Sequence, residues 1–295
     1  MKIHKLILCA FLTTLLSFSI HPSKIYSEDK PKSFAVLLLG IDSGGLGRTE
    51  IGRSDVIMIA TVNPQHERIV ITSIPRDSYV EIPGRGLDKI NHAYAFGGPE
   101  LTIETVENWL DIKIPYFVSI DMEGLEDIVD AIDGVEVTPP TTFAVGGYQF
   151  IEGNPIQIDG KQALAYSRER YTSGGDYARQ KRQRQLILEI SKKAVQTATN
   201  PKKIIKLATV FFEHVKMNID LMKFTSLVIN HSNMRPTMTL NQFEGAGTMI
   251  NGVYYEQIHD TSYQNNKQII HDELAGKNTD NLNKDETVEL IETIN

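Results

Sequence analysis

The stretch GRSDVIMIATVNPQHERIVITSIPRD, residues 52–77, contains two apolar runs separated by a short polar connection. Val56–Val62 and Arg68–Ile74 are rich in β-branched and aliphatic residues, which is typical of buried strands. A third run of this kind, Phe34–Leu39, precedes them and ends at a glycine. These three runs predict the centre of a sheet that is covered on both faces.

Helical and strand patterns alternate along the rest of the chain. We predict helices at Pro99–Leu110, Met122–Ile132, Tyr177–Ala198, Lys202–Val215 and Leu221–Asn230. We predict further strands at Tyr116–Ile120 and Val135–Val137, and a strand pair formed by Thr237–Phe243 and Gly252–Gln257. This alternation predicts an α/β fold with a central mixed sheet.

Arginines and aspartates occur together at the ends of the predicted strands. Arg53 and Asp55 stand at the mouth of one strand, and Arg76 and Asp77 stand where the next one ends. Asp42 occupies the same kind of position after the first run. Open α/β sheets place their ligands at strand ends, so these charges are candidate site residues.

A third charged cluster consists of Arg168, Arg170, Asp176, Arg179, Arg182 and Gln183. A strand over the first two arginines would send both to one face. On the helix that follows, Asp176, Arg179 and Gln183 have spacings that share one face. The alternative is a solvated charged helix in which Asp176 is only the N-cap.

The mixture of arginine and aspartate indicates the chemistry of the ligand. The planar guanidinium matches phosphate oxygens two at a time. Aspartates among such arginines suit a divalent metal bound to the same phosphates. The eight histidines are scattered and lack metal-site spacing, so zinc is not expected. We therefore predict a Mg²⁺-assisted site for a pyrophosphate group.

Charge and the N-terminal residues indicate where the protein works. The net charge of -7 argues against nucleic-acid binding, although positive charge is concentrated in Asp159–Gln185. Lys2 and Lys5 precede the apolar run Leu6–Ile20, which is shorter than the roughly 20 residues of a spanning helix. Residues 1–27 are therefore predicted to be a signal peptide or a signal anchor, the anchor being favoured, and the remainder to be exported.

The exported part divides into three segments by composition. Residues 28–33 are predicted to be a linker, and residues 34–270 a single folded domain. Residues 271–295 contain seven acids and two lysines, so we expect a loosely ordered tail. The lone cysteine, Cys9, lies in the apolar run, and the exported part therefore has no disulfide.

Several of these segments together resemble the LytR–CpsA–Psr family. The motifs are LLLGIDSGG, GRSDVIMIATVNP, ITSIPRDSYVEIPG, DKINHAYAFGG, VDAIDGVEV, ALAYSRER and GDYARQKRQRQ, in that order between residues 34 and 188. Asp133 and Ala178 stand where the family usually has glycine, and neither is a charged site position.

The resemblance implies a fold and an activity. It implies a three-layer α/β/α sandwich with a hydrophobic groove for a polyprenyl chain. It also implies an exported ligase on the outer face of the membrane or in the wall. Such an enzyme transfers a teichoic-acid or capsule-like polymer from a polyprenyl pyrophosphate carrier to peptidoglycan and forms a phosphodiester.

The resemblance also assigns roles to individual residues. By position, Asp42 and Asp55 are expected to hold Mg²⁺. Contacts to the pyrophosphate and head group are expected from Arg53, Arg76, Lys89, Arg168, Arg170, Arg179 and Gln183. We interpret Arg76, Arg168, Arg170 and Asp176 as catalytic, with Asp176 a candidate base, and Arg182 as a further substrate contact.

Three other functions are alternatives to this ligase. A glycolipid-binding or scaffold protein would use the same pocket without turnover, but binding alone needs the arginines more than the aspartates. A pyrophosphatase would use water in place of the sugar hydroxyl. Transcriptional control is disfavoured because DNA affinity rests on a basic face.

Overall fold

The structure, a computed structural model, describes residues 32–42, 52–197, 200–220, 223, 236–279 and 286–289. The strands are β1 (Phe34–Asp42), β2 (Arg53–Asn63), β3 (Arg68–Ser73), β4 (Tyr79–Ile82), β5 (Gly86–Lys89), β6 (Tyr116–Asp121), β7 (Val135–Val137), β8 (Phe143–Val145), β9 (Tyr148–Phe150), β10 (Ile156–Ile158), β11 (Val215–Met217), β12 (Thr237–Gln242), β13 (Gly245–Ile250), β14 (Val253–Ile258) and β15 (Glu286–Glu289). The helices are α1 (His92–Leu110), α2 (Met122–Ala131), α3 (Gly160–Arg168), α4 (Gly175–Thr197), α5 (Pro201–His214) and α6 (Asp260–Leu274).

The main sheet is mixed, as the alternation of strands and helices predicts. Across the described residues its strand order is β11–β6–β1–β2–β3–β12–β15. β1 runs parallel to β6, and β3 runs parallel to β12. The other neighbouring pairs are antiparallel. β2 lies between β1 and β3 and runs antiparallel to both. The ends of β1 and β3 therefore lie on opposite sides of β2.

Helices cover both faces of this sheet, which confirms the layered α/β prediction. Alternate residues of β1, among them Leu37 and Leu39, pack with Leu110 of α1 and Ile270 of α6 in one core. The opposite face packs against α4 through a smaller core that contains Leu188. The alternation of the strand side chains thus supplies two separate cores.

A third core joins α2, α3 and α4 through the small strands β7–β10. Phe143 and Phe150 stack with their ring centroids 4.9 Å apart, and Tyr166 of α3 packs against both rings. Leu186 of α4 and Val129 of α2 complete this cluster. The core fixes α4 against the end of α3, where two of the candidate arginines lie.

The prediction of a strand around residues 165–170 is wrong, because this segment ends a helix. Asp159 caps α3 by accepting from the backbone N–H of Gln162, whose side chain accepts from Asp159 in return. Ala163 and Tyr166 lie three residues apart and are both fully buried. Helical spacing, and not alternation, therefore decides which side chains of this segment face inward.

The predicted pairing of two C-terminal strands is also wrong. β12 joins the main sheet next to β3, whereas β14 pairs with β13 in a separate hairpin. The predicted helix at Leu221–Asn230 lies outside the described residues except at residue 223. The predicted signal over residues 1–27 lies wholly outside them. Among the helices that are described, none has both the length and the apolar composition to cross a bilayer.

The prediction of a loose tail from residue 271 is wrong for the part that is described. Residues 271–274 complete α6, and Glu273 is 0% exposed. Its carboxylate pairs with Arg68 Nε at 2.7 Å and accepts from Asn63 Nδ2 at 2.8 Å. Further on, β15 pairs with β12 at the edge of the main sheet. Residues 271–279 and 286–289 therefore belong to the folded domain.

We expect Glu273→Gln to destabilise the protein by about 3 kcal/mol, because it removes the negative charge that Glu273 places against the buried Arg68 guanidinium. Urea unfolding measured at neutral pH would give this loss. Asp133→Asn is the matched control, since Asp133 pairs with Lys203 while its side chain is 60% exposed. Equal unfolding midpoints for the two variants would contradict the structural role of Glu273.

Candidate functional site

The candidate residues meet at one end of the sheet. Asp42 ends β1, and Asp55 lies near the start of the adjacent strand β2. Arg76 follows the end of β3, Lys89 ends the hairpin strand β5, and Asp176 lies in the first turn of α4. Residues from β2, the segment after β3, β5 and α4 thus form one charged cluster, and the end of β1 with Asp42 lies beside it.

Arg76 is the centre of this cluster. Its Nη1 lies 2.8 Å from Asp55 Oδ2, and its Nε lies 3.6 Å from Asp77 Oδ2 and 4.0 Å from Asp176 Oδ1. Burial opposes the charge of Arg76, but the carboxylates of Asp55, Asp176 and Asp77 outweigh it and raise the arginine pKa. The protein therefore fixes the guanidinium in position before any ligand is bound.

Two more cations flank the same carboxylates. Lys89 Nζ lies 2.8 Å from Asp77 Oδ1, and Arg179 Nη2 lies 2.5 Å from Asp176 Oδ1. Burial lowers the pKa of Arg179; Asp176 opposes this effect, while the positive charges of Arg76 and Arg170 add to it. Because an arginine stays protonated in proteins, an anion bound beside it would relieve this repulsion.

A β-bulge directs the carboxylate of Asp55 at the cluster. Gly40 is opposite Val56 and Ile41 is opposite Ser54, so Asp55 is the extra residue on β2. A Cβ on Gly40 would come within 2.8 Å of Val56 Cβ, which explains the glycine beside the bulge. Simple strand alternation, which would place Arg53 and Asp55 on one face, therefore does not apply here.

The remaining predicted arginines have different surroundings. Arg53 at the start of β2 and Arg168 at the end of α3 are both exposed, and the network around Arg76 does not include them. Arg170 is partly buried, stacks its guanidinium 5.0 Å from the ring of Tyr171, and lines the cleft beside Asp176.

Arg182 needs a correction, because its side chain is fully buried. Its Nε donates to the carbonyl of Tyr166 at 3.0 Å, its Nη2 donates to the carbonyl of Glu169, and its guanidinium stacks 4.8 Å from the ring of Phe143. This arginine holds α4 onto the end of α3 and does not face a ligand. Gln183 is also buried and donates to the carbonyl of Ser167 at 3.1 Å.

Sequence reasoning overlooked a wall of the cleft that β14 supplies. The cleft, of about 320 Å³, is lined by Pro75, Asp77, Arg170, Tyr171, Asp176, Tyr177, Tyr254 and Glu256. The buried Glu256 carboxylate accepts from the hydroxyls of Tyr177 and Tyr254, each at 2.7 Å. Alternation along β14 puts Tyr254 and Glu256 on one face, which is the signal that could have identified them.

The acidic residues provide only part of the ligand set that a metal ion needs. Among the described residues there is no group of three or more His, Cys, Asp or Glu side chains that could hold a metal ion. Asp42 and Asp55 nevertheless lie close along the β1–β2 pair and offer carboxylate oxygens. Mg²⁺ is commonly bound through one or two carboxylates, with substrate phosphates and water completing its shell. These two residues therefore fit such an ion when a phosphate ligand is present.

Glu169 organises the loop that carries Arg170 to the cleft. Its carboxylate accepts from the backbone N–H groups of Tyr171 at 2.7 Å and Thr172 at 2.8 Å, and from the hydroxyl of Ser173. Burial raises the pKa of Glu169, but these hydrogen bonds outweigh burial and leave its pKa below 4.5. The ionised form is therefore the one that the folded loop stabilises.

Comparison with known proteins identifies a family. The model of the LytR_cpsA_psr family matches residues 16–272. The chain is 41% identical over 248 residues to the polyisoprenyl-teichoic acid–peptidoglycan teichoic acid transferase TagU of Enterococcus faecalis, covering 83% of this chain and 80% of that protein. It is 38% identical over 244 residues to the protein of the same name from Bacillus subtilis, with coverage of 81% and 77%.

Solved structures agree with the sequence relatives. TagT bound to LIIa-WTA superposes with a TM-score of 0.69 at 30% identity, covering 85% of this chain and 95% of that one. Crystalline Bacillus subtilis TagU superposes with a TM-score of 0.62 at 35% identity, with coverage of 83% and 97%. The fold described above is thus the fold of these proteins.

We expect Glu169→Gln to cost about 2 kcal/mol at pH 7, because charge-assisted hydrogen bonds to the loop are lost. A carboxylate whose pKa is lowered on folding stabilises the protein above its unfolded pKa, and this stabilisation disappears as the pH falls through the folded pKa. The difference between wild type and variant should therefore shrink below pH 4.5. Urea unfolding of both proteins from pH 7 down to pH 3 would measure this difference in unfolding free energy. A difference that stays constant with pH would refute the role of the Glu169 carboxylate.

Proposed function

Because this chain belongs to the LytR–CpsA–Psr family, we propose that it transfers a teichoic-acid-type glycopolymer to peptidoglycan from a polyprenyl pyrophosphate carrier. The observation that carries this proposal is the partly buried charged cluster around Arg76. It combines three cations with three carboxylates at one sheet end. A site built in this way suits a ligand with several anionic oxygens better than a single carboxylate.

The pyrophosphate is proposed to bind beside Arg76 and Arg179. Both guanidinium groups are largely buried, so water screens their charge little and their attraction for phosphate oxygens is strong. Arg170 at the edge of the cleft and Lys89 extend the positive surface. Exposed Arg53 and Arg168 are proposed to reach the ligand from the rim.

The face of the sheet that packs against α4 supports a lipid carrier. Val36, Leu38, Val56 and Ile69 on this face are only partly buried. The same alternation leads along β1 from Val36 and Leu38 to Asp42. We propose that the polyprenyl chain lies along this apolar strip and that its pyrophosphate lies at the charged end.

The proposed reaction breaks the phosphoanhydride bond of the carrier and forms a phosphate ester with a peptidoglycan hydroxyl. A sugar hydroxyl of peptidoglycan attacks the phosphorus on the glycan side of the pyrophosphate, and the bond from this phosphorus to the bridging oxygen breaks. Polyprenyl phosphate leaves with the electron pair of that bond, and the hydroxyl proton passes to a base. Arg76 and Arg179 stabilise the negative charge that develops on the phosphate oxygens.

Asp176 is proposed as the base. Its Oδ1 is held by Arg179 and its Oδ2 accepts from Gln180 Nε2 at 2.8 Å, so the carboxylate is fixed at the wall of the cleft. Fixing the carboxylate lowers the entropic cost of aligning the hydroxyl with the phosphorus.

Mg²⁺ is proposed as the cofactor. Asp42 and Asp55 would hold it at the end of β1 and the bulge of β2. When bound, it would neutralise charge on the pyrophosphate as a Lewis acid. The ion pair of Asp55 with Arg76 leaves Oδ1 of this carboxylate for such a contact.

The proposed substrates place the protein outside the cytoplasmic membrane. Polyprenyl carriers are membrane-bound and peptidoglycan is extracellular, so we propose an exported protein at the outer face of the membrane or in the wall. Residues 1–27 would supply the export signal or anchor.

We expect Arg76→Ala to lower turnover by about 100-fold or more, because one fixed donor to the developing charge is lost. The assay would use the purified full-length chain, Mg²⁺, a polyprenyl-pyrophosphate saccharide and peptidoglycan oligomers. Mass spectrometry would detect the phosphodiester product and free polyprenyl phosphate. Arg85→Ala, at an exposed arginine stacked on Phe96, is the control and should retain full activity.

The same assay separates the competing functions. A product that requires Arg76 and disappears with a chelator would support the metal-assisted ligase. Release of polyprenyl phosphate without a linked product would indicate a pyrophosphatase. Tight lipid binding without any turnover would indicate a glycolipid-binding protein.

We expect Asp176→Asn to lower the maximal rate by about 100-fold or more while the KM for the lipid changes little, because the amide cannot accept the proton. Gln180→Ala is the companion variant: it removes the hydrogen bond to Asp176 but leaves the carboxylate. Its rate should fall less than that of Asp176→Asn. An unchanged rate for Asp176→Asn with normal lipid binding would assign the base to another residue.

A further inference from the structure

A second cavity, of about 400 Å³, lies between the first turns of α4 and the end of β12. It is lined by Tyr177, Ala178, Lys181, Arg184, Leu240, Gln242 and Glu244. Tyr177 also lines the cleft that contains Asp176, so this one side chain is a wall of both spaces. The cavity therefore adjoins the site described above without containing its ion pairs.

A buried arginine forms one wall of this second cavity. Arg184 is 5% exposed, and its Nη1 donates to Ser73 Oγ at 3.0 Å and to Gln242 Oε1 at 2.7 Å. Ser73 and Gln242 are opposite each other on the parallel strands β3 and β12. The sheet thus holds the guanidinium in a fixed orientation, as a preorganised anion site requires.

The charge of the lining favours an anion. Lys181, which is exposed one helical turn before Arg184, adds a second cation on the same face of α4. The lining contains one carboxylate, that of the exposed Glu244. Two cations therefore meet one acid, and the side-chain amide of Gln242 adds a partner for sugar hydroxyls.

We propose that this cavity is a subsite for a phosphate or carboxylate group carried by a glycan chain. This inference rests on the proposed transferase function for the identity of that glycan. The chain would pass over Tyr177, whose ring offers an apolar surface to a sugar. The anionic group comes either from a phosphate in the donor polymer or from a peptide carboxylate on the peptidoglycan acceptor.

Direct binding tests the subsite without requiring catalysis. Calorimetry would measure binding of the full-length chain to a lipid-free poly(glycerol phosphate) oligomer and, separately, to peptidoglycan oligomers that carry stem peptides. Lys181→Gln and Arg184→Gln should each weaken binding of one of these probes about tenfold, because a charged contact is lost. Glu244→Gln should strengthen binding of the same probe, since it removes the opposing charge.

Controls separate this result from general electrostatics and from unfolding. Lys161→Gln, at an exposed lysine of α3, changes the net charge equally and should leave binding unchanged. Thermal unfolding would verify that Arg184→Gln is folded. If it is not, Lys181→Gln still tests the subsite, because Lys181 is exposed and its replacement should not affect folding. Unchanged binding of both probes to Lys181→Gln and Glu244→Gln would overturn the proposal.

The transfer assay distinguishes failure of the subsite from failure of the proposed function. If the anion comes from the donor polymer, a donor whose short glycan is uncharged should be transferred by Lys181→Gln as well as by wild type. If it comes from the acceptor, this variant should show a raised KM for the peptidoglycan oligomers. If the anion comes from the donor, a donor that carries a phosphate-bearing glycan should show a raised KM in this variant. If wild type transfers neither donor but the variants still lose oligomer binding, the subsite stands and the transferase proposal falls.

Discussion

The buried charge of Arg76 is the constraint on which the site depends. A guanidinium removed from water is costly unless carboxylates accompany it, and here Asp55, Asp77 and Asp176 do so. Each carboxylate comes from a different part of the chain, so the ion pairs also tie β2, the segment after β3 and α4 together. The acids thus hold the cationic site in place without a ligand, which explains why so many aspartates accompany the arginines.

The sheet provides the geometry that this charge balance requires. A reversed strand, β2, lies between β1 and β3, so the beginning of β2 meets the ends of both neighbours. The bulge at Asp55 then directs one carboxylate towards Arg76 at this junction. The two faces of the sheet differ, because α1 and α6 bury one of them while the face towards α4 keeps partly exposed aliphatic side chains. A charged end and an apolar strip therefore adjoin on one surface.

Much of this arrangement could be predicted from local patterns, and the failures have physical causes. The apolar strands and the charges at their ends can be predicted because the hydrophobicity of the residues and its period are local properties of the sequence. The strand expected around residues 165–170 is wrong, although Asp159 with Gln162 forms a capping box that signals a helix start. Glu273 could not be predicted as core, since its partner Arg68 lies about 200 residues earlier and burial of a charge depends on such distant partners.

Three arginines of α4 show why residue spacing alone cannot assign a role. At about 100° per residue, Arg179 and Arg182 lie roughly 60° apart around the helix, close enough to predict one shared ligand. Arg179 nevertheless meets Asp176, whereas Arg182 is enclosed by Phe143 and the end of α3. Arg184, about 140° from Arg179, faces Ser73 and the second cavity. The surroundings of each guanidinium decide its role. Three arginines of one helix therefore serve the cleft, the core and the second cavity in turn.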